Sequence, residues 1–299
     1  MNNTKNDILE TFKRGSMLTK LIYINVAVAI VSFIIFFILP EGSDSYLTVP
    51  GTFDQLIYQP WTIITYMFTH FGFMHLLMNM LWLFWFGRLF LRYFNEKQML
   101  AVYLLGGFAG AFLHLGANYL LKGSNVGIVG ASAAVMSIVF AVVAFKPDFV
   151  MNLLFFGPVK IKYIAIIAFV FDVMGLAGNL KEGAGASDGI AHIAHMGGSL
   201  YGLWFGYTLR NGKDITRGFN NLLNVFFSWF TTSKTERKRS QMRATRGEKF
   251  NKTKSDWDYN KDKKGNSSEV DRILDKIKDK GYDSLTKKER DFLFKQKKK

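Results

Sequence analysis

Six apolar runs, each near the length of a bilayer crossing, fill the chain before about residue 210 and leave few folds open to it. A helix needs about 20 mostly apolar residues to cross a hydrocarbon core about 30 Å thick. Runs at 18–40, 63–87, 98–121, 127–145, 160–178 and 189–209 meet or approach that length. Inside lipid every backbone polar group has to be satisfied within the protein, so such spans are helices. The expected fold is all-α: a polytopic membrane protein with six transmembrane helices over 18–209. The fourth and fifth runs are short and carry glycine, small or polar residues. That suits helices surrounded by other helices, with the fourth at the centre.

Charge divides the chain into regions with different solvents. From Arg210 to Lys299 there are 26 Lys and Arg against 13 Asp and Glu, so nearly all of the formal +15 belongs to that stretch. A basic segment directly after a membrane domain marks the cytoplasmic side and faces anionic headgroups; nucleic acid is not the expected partner. Lys5, Lys13, Arg14 and Lys20 precede the first run, Arg88, Arg92 and Lys97 separate the second from the third, and Lys146, Lys160 and Lys162 separate the fourth from the fifth. The alternate loops hold few cations, so both termini are expected in the cytoplasm. The first run follows cations as a signal peptide would, but it lacks a small-residue cleavage site and further spans follow, so it reads as a retained helix. There are no cysteines, which excludes disulfides and thiolate metal sites.

Polar side chains are sparse in the runs and cluster at one depth. Ser132 in Gly130-Ala131-Ser132-Ala133 and His195 in Ala194-His195-Met196-Gly197-Gly198 each lie about five residues into a run that starts on the outer side, or about 8 Å at 1.5 Å per residue. His75 and Asn79, four apart on one face of the second run, reach the same outer half. Such groups are costly in lipid and usually face a bundle interior or a water-filled cavity. Each has a plainer role: Ser132 as a small packing residue, His75 and Asn79 as bonds across helices, His70 as an anchor for the outer loop. His192, one turn from His195, is a rival base or a solvated interfacial histidine. Asp172 either orients the histidine or bonds a neighbouring helix or loop. Gly198, Gly202 and Gly206 recur every four residues and leave a groove for close approach by another helix.

Taken together, His70, His75 and Asn79 in HFGFMHLLMNMLWLFWFG, Ser132 in GASA, and His195, Gly198 and Gly202 in AHMGGSLYG resemble the rhomboid family of intramembrane serine proteases. The resemblance covers about 18–209 and implies a rhomboid-like six-helix bundle. It implies Ser132 as nucleophile and His195 as general base, favoured over His192 by the spacing to the glycines. His75 and Asn79 would then help the Ser132 N–H hold the oxyanion, in a dyad that needs no buried carboxylate, cofactor or metal. Two positions depart from the family: Ala133 stands where glycine often follows the nucleophile, and Thr62 follows Trp61 where many members have arginine. The implied activity is cleavage of transmembrane helices in membrane-protein substrates near the outer face, in a bacterial cytoplasmic membrane. The alternative is a catalytically silent relative that binds transmembrane helices; a transporter lacks support, since no inverted repeat is visible.

The remaining segments divide as a cytoplasmic N-terminus (1–17), an interfacial helix and basic linker (210–264) and a small helical hairpin (265–299). Leu222, Leu223, Val225, Phe226, Phe227 and Trp229 suit an interfacial helix too short to span. In the hairpin, Val270, Ile273, Leu274 and Ile277 repeat at helical spacing, Gly281 suits a stop, and Thr286 with Glu289 forms a capping box. This hairpin resembles C-terminal extensions of some bacterial rhomboids, and it reads either as a regulatory or partner-binding element or as a solvated appendage.

Overall fold

The computed structural model describes residues 9–38, 42–121, 126–153, 157–182, 187–230, 270–281 and 284–296. The basic linker expected at 234–264 lies outside the described residues. The chain forms two compact units, Met1–Ser228 and Trp229–Lys299.

In the first unit the long helices are α1 (Met17–Ile38), α4 (Phe73–Tyr93), α5 (Glu96–Leu121), α6 (Ser132–Phe145), α7 (Ile161–Glu182) and α8 (Ser187–Arg210). Two short helices, α2 (Phe53–Tyr58) and α3 (Thr62–Thr65), interrupt the connection from α1 to α4, and α9 (Arg217–Phe230) follows α8. Among the described residues three helices are long and apolar enough to cross a membrane: Met17–Ile38, Phe73–Tyr93 and Glu96–Leu120. The protein is therefore an integral membrane protein built mostly of helix.

Helix starts differ from the hydropathy reading. The second helix begins at Phe73 rather than near 63, because the apolar run passes through α3 and a turn before Gly72, at φ 89, opens α4. The fourth begins at Ser132 rather than near 127, because Ile128 pairs with Val49 through two backbone hydrogen bonds of 2.9 and 3.0 Å. Apolar residues that belong to no long helix explain both offsets. The expectation of an all-α fold also needs a correction: Val150–Leu153 and Gly157–Lys160 pair as an antiparallel hairpin, β1 and β2, between α6 and α7. Asp148 beside it accepts from Lys162 at 2.8 Å and Lys160 at 3.3 Å. The Lys162 hydrogen bond, then that of Lys160, holds the Asp148 carboxyl below its usual range.

Local chemistry sets the other junctions. Asn95 and Gln98 exchange backbone-to-side-chain hydrogen bonds of 2.9 and 3.0 Å, a capping box that starts α5 immediately after α4 ends. Gln98 also donates to Asp214 at 2.9 Å, and Asp214 accepts from the Thr216 N–H ahead of α9. Leu222, Val225, Phe226 and Phe227 on α9 are exposed, the apolar face expected of an interfacial helix.

α6 is the central helix. At 14 residues it is only about 21 Å long, most of its side chains are buried, and it packs against α4, α5, α7 and α8. Its closest neighbour is α8, and the reason is glycine. A Cβ built on Gly198 would collide with the Ala133 carbonyl, one on Gly202 with the Ser137 carbonyl, and one on Gly206 with the Ala141 carbonyl. The two backbones touch over two turns, as the four-residue glycine spacing leads one to expect. Behind them a buried polar knot ties α1 to α5: Asn25 donates to Tyr103 at 3.1 Å, and Tyr103 donates to the Met67 carbonyl at 3.1 Å.

In the second unit a helix over 270–280 ends before Gly281 at φ 77, and Lys287–Gln296 forms another helix. Ile273 and Leu285 are buried. Thr286 and Glu289 form the expected capping box: Glu289 accepts from the Thr286 N–H at 2.8 Å and from Lys276 at 3.0 Å. The Thr286 N–H, followed by Lys276 and the Thr286 hydroxyl, depresses the Glu289 pKa to about 2.

Two predictions follow from these contacts. Gly202→Val should lower thermal stability in detergent by about 1–3 kcal/mol through overpacking, whereas Gly116→Ala, where an added Cβ meets nothing within 4 Å, should be neutral or stabilising by up to about 1 kcal/mol. A depressed carboxylate pKa contributes stability above the unfolded value that is lost as pH falls through the folded one. The hairpin should thus keep this contribution down to about pH 4.5 and lose it towards about pH 2. Amide exchange over 270–296 in the full chain checks this, and Glu289→Gln should show the loss already at pH 7.

Candidate active site

Ser132 is the first residue of α6 and His195 lies in the third turn of α8, so the glycine contact just described brings them together. The Ser132 Oγ is 2.6 Å from His195 Nε2. His195 Nδ1 is 2.8 Å from Asp172 Oδ1 on α7, and His192 Nδ1 lies 2.8 Å from the same oxygen. An ionised Asp172 accepts from both Nδ1–H groups, and a His195 ring that carries its one proton on Nδ1 turns its Nε2 lone pair to the serine hydroxyl. His192, the rival base, does not reach Ser132; it bonds the carboxylate instead.

The turn before Ser132 is built with equal care. Gly130 has φ 117, a conformation that side chains rarely adopt, and a Cβ there would lie 2.7 Å from the His75 ring. The Gly130 N–H donates to the Tyr66 carbonyl at 2.9 Å. His70 donates from Nδ1 to the Phe68 carbonyl at 3.2 Å, and its Nε2 accepts from the Ala131 N–H at 3.4 Å. The sequence placed His70 on the outer loop as an anchor; what it anchors is the turn before Ser132. Trp61 performs the loop role, donating to the Tyr46 carbonyl at 2.9 Å, while Thr62 bonds locally to the Gln59 carbonyl at 2.6 Å.

His75, Asn79, Ser132, Asp172, His192 and His195 all line one cavity of about 620 Å³. Asn79 donates from Nδ2 to the His75 carbonyl at 2.9 Å, which uses one of its two amide hydrogens. α6 starts without a side-chain cap, so the positive end of its backbone dipoles faces the cavity unscreened by a cap. The four residues expected at the site are therefore in one place. Two contributors take more definite roles than the sequence assigned: His70, expected as an anchor of the outer loop, accepts from the Ala131 N–H, and Asp172, expected either to orient the histidine or to bond a neighbouring helix or loop, contacts both His195 and His192.

Asp172, His192 and His195 offer three ligand atoms within 4.8 Å of one another. Tetrahedral zinc would hold such atoms about 3.3 Å apart; the 2.8 Å separations are those of hydrogen bonds.

Comparison with known proteins places the chain in a family. The rhomboid domain family model matches residues 58–212, about half of the chain and all of the site. The chain belongs to the rhomboid family. A second model, a family of unknown function, matches 253–295. This rhomboid is 29% identical over 165 residues to rhomboid-related protein 1 of Caenorhabditis elegans, covering 54% of this chain and 44% of that one. It is 31% identical over 151 residues to the mitochondrial RHOMBOID-like protein 6 of Arabidopsis thaliana, covering 50% and 44%. To the mitochondrial presenilin-associated rhomboid-like protein of Bos taurus it is 28% identical over 150 residues, covering 46% and 35%. The match thus spans less than half the length of these relatives.

The His70 brace yields a prediction. His70→Ala leaves the buried Ala131 N–H without its acceptor, which costs about 1–3 kcal/mol. The variant should melt at a lower temperature in detergent than wild type.

Proposed function

We propose that this rhomboid is a serine endopeptidase that cuts transmembrane helices of membrane-protein substrates within the bilayer, near its outer face. The observation that carries the reading is the 2.6 Å approach of Ser132 Oγ to His195 Nε2 inside a cavity, in a family whose members are generally serine proteases. A serine hydroxyl is a weak nucleophile until a base takes its proton during attack, and a neutral imidazole does so near physiological pH. Ser132 attacks the scissile carbonyl and passes its proton to His195, which returns it to the leaving amine. Water, activated by the same imidazole, then hydrolyses the acyl-enzyme. The developing oxyanion is held by the Ser132 N–H at the start of α6 with the side chains of His75 and Asn79. Asn79 keeps one amide hydrogen for this beyond the one given to the His75 carbonyl.

A helical peptide bond is shielded by its own backbone hydrogen bonds, so the substrate is cut where its helix unwinds, near small or helix-weakening residues. Six membrane crossings place both termini in the cytoplasm. The alternation of Arg88, Arg92 and Lys146 with cation-poor connections supports that orientation, and the basic stretch after Arg210 then faces anionic headgroups. A bacterial cytoplasmic membrane is the setting proposed, on the likeness of the tail to extensions of bacterial rhomboids.

Purified protein in liposomes with a test transmembrane substrate should cleave it. Ser132→Ala and His195→Ala should each lower the rate by at least about 10³-fold, Asn79→Ala by about 10²-fold, and His192→Ala should retain cleavage at a rate lower than wild type but well above that of His195→Ala. Equal cleavage by wild type and Ser132→Ala would sink the proposal. A fluorophosphonate that fails to label Ser132 in folded protein would point instead to a silent helix-binding relative.

A further inference from the structure

We propose that Asp172 is a positioning residue for His195, so that the site works as a chain of hydrogen bonds from Ser132 through His195 to Asp172, with His192 as a second donor that fixes the carboxylate. This rests on the reading of Ser132 and His195 as nucleophile and base.

The argument starts from the cost of the group. Asp172 is 4% exposed on a helix of the membrane unit, where an uncompensated carboxylate is expensive. All of its described hydrogen bonding goes through one oxygen: Oδ1 accepts from His192 and His195, and Oδ2 is buried without a partner. A carboxylate serving only to tie α7 to α8 would be satisfied by either histidine. Here the same oxygen reaches both, and the His195 contact does something the His192 contact cannot. It keeps the proton on Nδ1, which leaves Nε2 as the acceptor facing Ser132 at 2.6 Å. The opposite tautomer would present an N–H to the serine and could not take its proton.

The charge also has a place in the reaction. As the bond from Ser132 Oγ to the carbonyl carbon forms, the carbonyl π pair moves onto its oxygen and the hydroxyl proton moves to Nε2. His195 is then an imidazolium, with its Nδ1 proton still on the ring and directed at Asp172. When the C–N bond breaks, the Nε2 proton leaves with the amine. Asp172 gains no proton at any stage; it holds the ring and offsets the positive charge while it exists. His192 donates from the same helix one turn away, so the carboxylate cannot rotate off His195 without losing a second bond.

Two experiments test this. Asp172→Asn retains an oxygen able to accept both N–H groups but removes the charge. In the liposome assay kcat should fall about 10²- to 10⁴-fold with KM within about twofold, and the melting temperature should stay near that of wild type. Independently, wild-type protein labelled with ¹⁵N-histidine in lipid nanodiscs at pH 8 should show a low-field proton on Nδ1 of His195, identified by its absence in His195→Gln. A His195 ring protonated on Nε2 in wild type overturns the inference whether or not the Asp172 variant folds. An Asp172→Asn kcat within threefold of wild type, with Ser132→Ala inactive in the same assay, also overturns it and leaves the protease reading standing. Cleavage by Ser132→Ala overturns both.

Discussion

Backbone contact between α6 and α8 is the constraint on which the site depends. Helices in lipid gain little from burying apolar side chains against one another, because lipid tails are equally apolar; close packing takes over that role. Gly198, Gly202 and Gly206 meet the carbonyls of Ala133, Ser137 and Ala141 with no room for a methyl group. At ordinary helix separations of about 8–10 Å, a serine side chain with a single rotatable carbon would be hard put to reach an imidazole across the interface. The glycine contact shortens that gap just where the first turn of α6 carries Ser132. The approach of Ser132 to His195 is therefore a property of the interface before it is one of the two side chains.

A short central helix needs something to set its upper end, and the chain uses backbone and histidine for this. The pairing of Val49 with Ile128, the Gly130 bond to Tyr66, and the Ala131 bond to His70 fix three points within four residues of Ser132. In a low-dielectric setting each bond is worth more than it would be in water, and each unmade bond costs more. The polar groups that seemed out of place in apolar runs thus fall into two sets. His70 and the backbone hold the turn before Ser132 in place, while His75, Asn79, Asp172, His192 and His195 line the cavity beside it.

What the sequence made legible followed from periodicity and spacing. The glycines at 198, 202 and 206 announced the close interface, the short fourth run at 127–145 announced a helix surrounded by others, and Thr286 with Glu289 announced a helix start. Each depends only on residues within a few turns of one another. Which of its two expected partners Asp172 takes depends on the rotation of separate helices. Asp172 and His195 are on α7 and α8, and no local pattern says which face of α7 turns inward. Hydropathy also overran the true starts of α4 and α6, since Ile63, Ile64, Val126 and Ile128 are as apolar as a span without being part of a long helix. The strand pair at 150–160 was missed because four-residue strands interrupted by Gly157 and Pro158 carry too short an alternation to stand out.

Ala133 shows how one departure from the family is absorbed. Its methyl adds volume beside Ser132, on the helix that has least room for it. The side chain points at Gly110 of α5, where a Cβ would lie 2.6 Å from the Ala133 Cβ and 2.8 Å from the Ala194 carbonyl. One turn on, Ser137 meets Gly106, whose added Cβ would collide with the serine hydroxyl. Small and larger residues therefore alternate across a three-helix junction rather than along one helix: glycine on α8 faces the α6 backbone, and glycine on α5 faces the α6 side chains. Because α6 is squeezed from both sides, a methyl can be carried at position 133 without displacing Ser132 as long as α5 has no side chain at 110. The tolerance of position 133 for change is thus set on a neighbouring helix that contributes no side chain to the cavity.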